Sequence, residues 1–218
     1  MSVSEICGWG RYPVITAEAR SPKVLTSMGD SMRIAAGSSI LARGLGRSYG
    51  DSSLNDQVIG MRYLNHLIEF DQQTGVLTSQ AGASLAEILE VFVPKGWFLP
   101  VTPGTRFITL GGAVASDVHG KNHHVNGCFC EHVERLEVMV APDRLVAYSP
   151  ENDADLFFAT CGGMGLTGVI LTVTLRLKPI RSAFIDQVTF KARNLSRSLI
   201  MIGEHAVDIS SALLKKRR

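Results

Sequence analysis

Apolar positions fall into short extended runs and one clear helical stripe, separated by turns that glycine and proline mark. Leu67–Asp71 and Val76–Gln80 flank Gln72-Gln73-Thr74-Gly75, which predicts two strands joined by a hairpin turn. After Ala81-Gly82-Ala83 the rhythm changes. Leu85, Ile88, Leu89 and Phe92 share one helical face, Ser84 with Glu87 three residues on forms a capping box, and Pro94 stops the run. This predicts a packing helix with no chemistry of its own. Trp97–Val101 predicts a buried strand before a Pro103-Gly104 turn. Val133–Val140 and Leu145–Tyr148 predict two strands around a turn at Pro142-Asp143-Arg144, and Asp153–Thr160 predicts a helix. Val169–Lys178 alternates apolar and polar residues, as a half-buried strand does. Ser39–Ala42 is a further short strand. The sum is an α+β chain rich in strands, without tandem repeats or low-complexity segments.

Glycine-rich loops interrupt this pattern. The first runs Ala42-Arg43-Gly44-Leu45-Gly46-Arg47-Ser48-Tyr49-Gly50-Asp51; glycines there let consecutive backbone N–H groups point into one concavity and approach an anion closely. Ser48 and Asp51 add short polar groups, and Arg43 and Arg47 add forked donors suited to phosphate oxygens. No helix follows directly, so Gly44-x-Gly46 is not a dinucleotide fingerprint, and the Gly-Lys-Ser/Thr ending of a triphosphate loop is missing. A second stretch leads from Pro103-Gly104-Thr105-Arg106 through Gly111-Gly112-Ala113 to Asp117-Val118-His119-Gly120-Lys121-Asn122-His123-His124. Thr109–Val118 is almost entirely small, and each glycine weakens an isolated helix by about 1 kcal/mol relative to alanine. A helix here therefore needs close approach by a ligand or by backbone, and its first turn, Leu110 to Ala113, is expected to offer free N–H groups. Cys161-Gly162-Gly163-Met164-Gly165-Leu166-Thr167-Gly168 is the third loop.

Composition narrows the function classes. The chain has 218 residues, 45% of them hydrophobic, enough for a sizeable core in one large domain or two small lobes. Net charge is +2, with basic residues dispersed except for Lys215-Lys216-Arg217-Arg218, so no footprint for nucleic acid is present. No apolar run has the length of a membrane span, and Met1-Ser2-Val3-Ser4-Glu5 lacks the opening of a signal peptide, so a cytoplasmic location is expected. Four unevenly placed cysteines, Cys7, Cys128, Cys130 and Cys161, fit a reducing compartment better than a disulfide framework. His123, His124, Cys128, Cys130 and His132 invite a metal, but their spacing matches no common finger, and no metal is expected. Cys161 reads as a packing residue.

Taken in order, the three glycine loops resemble the FAD-binding (PCMH-type) domain of the vanillyl-alcohol oxidase superfamily, and within it the decaprenylphosphoryl-β-D-ribose oxidases and related FAD-linked oxidases. The likeness runs from about Gly8-Trp9-Gly10 to about Phe190. It implies an FAD-binding domain over residues 1–190 in two lobes, roughly 1–80 and 81–190, with 191–218 as a truncated or atypical start of a substrate (cap) domain. By motif, Arg43, Gly44, Leu45, Gly46, Arg47, Ser48 and Tyr49 would cradle the pyrophosphate. Pro103, Gly104, Thr105, Gly111, Gly112 and Ser116 would line the cofactor further along. His119, Gly120 and Asn122 would lie near the flavin ring, and Gly163, Gly168 and Val169 would complete the pocket. Arg47 stands where many members carry the histidine that fixes FAD covalently, so a dissociable FAD is expected.

The chemistry so implied is hydride transfer from a carbon bearing a hydroxyl group to the flavin, with a base taking the hydroxyl proton. His119 and Lys121 are the catalytic candidates. His119 alternatively fixes loop structure, and Lys121 is alternatively a substrate-phosphate holder or a plain surface charge. The substrate implied is a small-molecule or lipid-linked sugar alcohol. Such oxidases continue well beyond 218 residues, so a partner chain supplying the cap, a flavin-binding module without turnover, and a metal-binding or structural protein all stay open.

Overall fold

The computed structural model describes residues 2–33, 39–184 and 191–204. The basic tail at 215–218 and the expected domain boundary near 190 lie outside them. Four strands, β1 (Ser2–Cys7), β2 (Val14–Arg20), β3 (Leu41–Arg43) and β4 (Gln57–Gly60), form one sheet in the order β1-β2-β4-β3. β1 and β2 pair antiparallel, whereas β4 lies parallel to both β2 and β3. Parallel neighbours cannot be joined by a tight hairpin. The chain leaving β3 must therefore travel back over the sheet end before it enters β4, and the first glycine loop is part of that crossover. Helix α1 (Met28–Arg33) lies between β2 and β3 in the chain.

The second sheet is antiparallel and five-stranded. It takes β5 (Leu67–Phe70), β6 (Val76–Gln80), β8 (Val133–Ala141), β9 (Arg144–Tyr148) and β10 (Val169–Arg176) in the order β5-β6-β10-β8-β9. The β5–β6 hairpin forms where Gln72–Gly75 predicts it. The β8–β9 turn is tighter than expected, with Asp143 left-handed at φ 64°. Helix α2 (Leu85–Phe92) buries Leu85, Ile88 and Phe92 on this sheet, and its capping box is complete: Ser84 Oγ accepts from Glu87 N while Glu87 Oε2 accepts from Ser84 N. Strand β7 covers only Trp97–Phe98 and pairs with β11 (Lys178–Pro179); Leu99–Val101 is buried without joining a ladder. Helices α3 (Leu110–Ala115), α4 (His123–Asn126), α5 (Ala154–Thr160) and α6 (Leu195–Glu204) complete the order.

Two apolar clusters hold these elements together. The larger joins α2, α3 and α5 to one face of the five-stranded sheet, with Leu77, Leu136, Val138, Val173 and Leu175 at its base. The smaller packs Met28 and Ile59 of the first sheet side, with Met61 and Leu64, against Met139, Val169 and Leu171 of the second. β10 thus lies between two cores, and Val169, Ile170, Leu171, Thr172 and Val173 are all buried. The half-buried strand expected from its alternation is corrected accordingly. Its polar Thr172 is satisfied inside by donating to Glu137 Oε2 at 2.7 Å. Among the described residues no helix is long and apolar enough to cross a membrane.

Candidate functional site

The site starts at the C-terminal end of β3. There residues 44–50 form an irregular loop with Gly46 at φ 65° and Gly50 at φ 58°, conformations that glycine adopts without a Cβ penalty. Among the described residues, the backbone N–H groups of residues 45–50 have no acceptor within the protein. Such a row of unpaired donors is costly unless water or a ligand meets it, and it is what a polyanion requires.

This loop faces α3 across a narrow cleft of two adjoining hollows, about 70 and 90 Å³, that share Gly44, Ser48, Ser53, Thr109, Gly112 and Ser116 as walls. The approach leaves no room for side chains: a Cβ on Gly44 would collide with Thr109 Oγ1, and one on Gly111 would sit 2.9 Å from Ala81 Cβ. Leu45, Gly46 and Arg47 line one hollow; Met164, Gly165 and Gly168 line the other.

Of the residues singled out from sequence, Gly44, Leu45, Gly46, Arg47, Ser48, Gly111, Gly112, Ser116 and Gly168 meet at this cleft. Others lie apart. Pro103, Gly104 and Thr105 line a separate groove of about 720 Å³ beside α2. Tyr49 is exposed, and Asn122 is buried, donating from Nδ2 to the Pro100 carbonyl at 3.1 Å and to Asn126 Oδ1 at 2.8 Å. His119 and Lys121 are exposed and follow Val118 at the cleft margin. Nδ1 of His119 and of His123 both face the Gly120 carbonyl, at 3.5 and 3.2 Å. Gly163 and Val169 line neither hollow; Gly163 packs on the Ala159 carbonyl, and Val169 is core.

Two expectations need correction. Arg43 does not extend a free fork toward the cleft: Nη1 donates to Ser53 O at 2.8 Å and Ser53 Oγ at 2.9 Å, while Nη2 donates to Cys7 O at 2.8 Å. It braces the loop from within, and burial pulls its pKa below the usual arginine value, with Cys7 opposing. Nor are the first N–H groups of α3 free. Leu110 donates to Ala83 O at 2.7 Å, Gly111 to Ala81 O at 2.8 Å and Gly112 to Thr109 Oγ1 at 3.1 Å. Backbone, not ligand, is the close neighbour that the small residues of α3 admit on that side.

Sequence reasoning also missed wall residues. Ser53 and Thr109 are buried polar residues of the cleft, and neither sits in a motif; Met164 and Gly165 lie inside the third glycine loop, where their place was available to be read. Gly8 and Trp9 clamp the first loop, Trp9 N donating to Ser48 O at 2.9 Å, and the Arg47 guanidinium lies 5.5 Å from the Trp9 ring centre. Among the described residues, no three His, Cys, Asp or Glu side chains converge as a metal site.

Comparison with known proteins decides the family: residues 22–148, more than half the chain, match the family described as FAD binding domain. The chain belongs to the FAD-binding domain family. FAD is its cofactor, and the glycine-lined walls of the cleft, with the unpaired N–H groups of Leu45 to Ser48, have the chemistry that a pyrophosphate requires. The FAD-binding chain is 39% identical over 189 residues to decaprenylphosphoryl-beta-D-ribose oxidase of Mycolicibacterium smegmatis, covering 84% of this chain and 41% of that one. It is 30% identical to L-gulonolactone oxidase of Mus musculus, covering 62% of this chain and 31% of the relative. Delta(24)-sterol reductase of Homo sapiens is 23% identical, covering 54% and 23%. The chain thus spans well under half the length of these relatives.

Proposed function

We propose that the chain is the cofactor-binding part of an FAD-dependent oxidoreductase that moves a hydride from the CH–OH group of a sugar-like or polyprenyl-phosphate-linked sugar alcohol to FAD. The observation that carries this reading is the run of residues 45–50 after the C-terminal end of β3: among the described residues its backbone N–H groups have no acceptor, and Leu45 to Ser48 of it line the hollow opposite Thr109, Gly112 and Ser116. The substrate class rests on the names of the oxidase relatives. FAD supplies the hydride acceptor when bound. The chain's own share is to hold the pyrophosphate with Gly44 to Ser48, to seat the cofactor against Gly111, Gly112, Ser116 and Gly168, and to present polar groups at the margin. His119 takes or polarises the substrate hydroxyl, and Lys121 attracts a substrate phosphate; both are exposed and follow in sequence on Val118, which lines the cleft. FAD is held without a covalent link, since Arg47 offers no nucleophile and lies over Trp9.

In this reading residues 1–190 are the cofactor domain, with lobes of roughly 1–80 and 81–190, and 191–218 begin a substrate domain. Recognition of substrate falls to the longer protein or to a partner chain. A flavin-binding module without turnover is the second reading. An absorbance spectrum of the purified chain, with FAD added if it emerges colourless, tests the cofactor part: flavin bands released by denaturing precipitation support it, and failure to take up FAD overturns it. Bleaching of bound flavin by a sugar alcohol separates turnover from mere binding.

A further inference from the structure

Ser53 stands in a turn that no glycine motif includes, yet it lines both hollows of the cleft and is only 8% exposed. Its backbone carbonyl and its hydroxyl oxygen both accept from Arg43 Nη1, at 2.8 and 2.9 Å. A serine hydroxyl has one proton and two lone pairs. With the guanidinium fixed on the oxygen, the proton is left to donate, and among the described residues no group accepts it. A buried donor without an acceptor is costly, so this proton calls for a partner from outside the chain. The surroundings state which kind. The Arg43 fork is locked beneath the first loop: Nη2 donates to Cys7 O at 2.8 Å, and a Cβ on Gly46 would collide with it. Leu45, Gly46, Arg47 and Ser48 line a hollow that Ser53 also lines, and among the described residues nothing accepts from their N–H groups. Among the residues lining either hollow, Arg47 is the one charged side chain. The space thus offers donors and a cation with no carboxylate, which suits a group that only accepts, such as a phosphoryl oxygen.

We propose that Ser53 is a diphosphate-binding residue of the cleft, donating its hydroxyl proton to a phosphoryl oxygen of the cofactor, and that Arg43 is the positioning residue that turns and polarises that hydroxyl. The inference rests on the cofactor reading above and adds to it a residue outside the glycine motifs. A hydroxyl that accepts from a guanidinium becomes a stronger donor, because hydrogen bonds in a chain polarise one another. Arg43 therefore acts on the diphosphate through Ser53 while its own fork stays on protein acceptors. The main-chain carbonyl of Ser53 holds the guanidinium in place, so the hydroxyl is free to serve the ligand without loosening the loop.

The test titrates the full chain, freed of flavin, by isothermal calorimetry with FAD, with ADP as a diphosphate that lacks the flavin, and with riboflavin as a flavin that lacks phosphate. Ser53→Ala deletes the hydroxyl and keeps the carbonyl that Arg43 also holds. It is expected to weaken FAD and ADP by the same factor, about tenfold, and to leave riboflavin unchanged. Ser53→Cys, of similar size but a weak donor, is expected to match it. A merely structural role would lower all three affinities together, and that result overturns the proposal. So does an unchanged ADP affinity in either variant. A double-mutant cycle reads the part of Arg43: Arg43→Lys should cost ADP affinity roughly threefold more in wild type than in Ser53→Ala, and equal costs overturn the coupling. Wild type separates this inference from the reading beneath it. Uptake of FAD and ADP with no dependence on Ser53 overturns this inference alone, whereas uptake of neither overturns the cofactor reading with it.

Discussion

Gly44 and Arg43 are adjacent, yet they serve the cleft in opposite ways. Gly44 is needed for what it lacks, since any Cβ there meets Thr109 Oγ1. Gly44→Ala is expected to weaken FAD binding about tenfold or more, roughly 1.4 kcal/mol, measured by flavin fluorescence titration. Gly10→Ala, where nothing lies within 4 Å of the added methyl, is the control and leaves affinity unchanged. Arg43 is needed for its fork. Arg43→Lys keeps the charge but cannot span Ser53 and Cys7 together, and is expected to cost about 2 kcal/mol in urea unfolding through lost charge-assisted hydrogen bonds. Glycine motifs made the first of these residues legible from sequence. The second was misjudged because a guanidinium beside glycines suits a phosphate and a carbonyl equally well, and only the fold brings Cys7 O within reach.

Elements with strong local signals form where the sequence predicts them. α2 shows why: its cap, its apolar stripe and its stop all act within a few residues. Ser84→Ala is expected to cost about 1 kcal/mol by thermal melt. Glu87 adds a pH dependence. Burial acts to raise its pKa but is outweighed by the Ser84 N–H and hydroxyl, Asn65 and Arg62, which together hold it below its ordinary 4.5. The unfolded chain therefore binds the proton more readily, so this stabilisation is complete above pH 4.5 and is lost as pH falls through the lower folded value. Glu87→Gln should melt below wild type at neutral pH and match it in acid; a constant gap would contradict the role. Elements with weak local signals were missed or mis-sized. β1, β2 and β4 carry no decisive period, and Leu99–Val101 is apolar and buried as a strand would be, yet the β7–β11 ladder stops at Phe98.

Over the whole molecule, two sheets share one small core, and the cleft lies where they meet. Leu171 belongs to that shared core while its carbonyl accepts from Ala81 N at 2.8 Å. Leu171→Ala is expected to cost about 3 kcal/mol and to lower FAD affinity together with stability, checked by denaturant unfolding with and without the cofactor. By itself the sequence determined the α+β class, the β5–β6 hairpin, the capped α2 and the anion-ready glycine loop, because turn chemistry, capping and periodicity are energies of neighbouring residues. Only the tertiary structure decided which donors remain free. The α3 N–H groups are taken by Ala81 and Ala83, Arg43 is taken by a carbonyl 36 positions away, and among the described residues nothing accepts from the N–H groups of 45–50. Those partners come from long-range packing, and no local pattern encodes which distant carbonyl will arrive first.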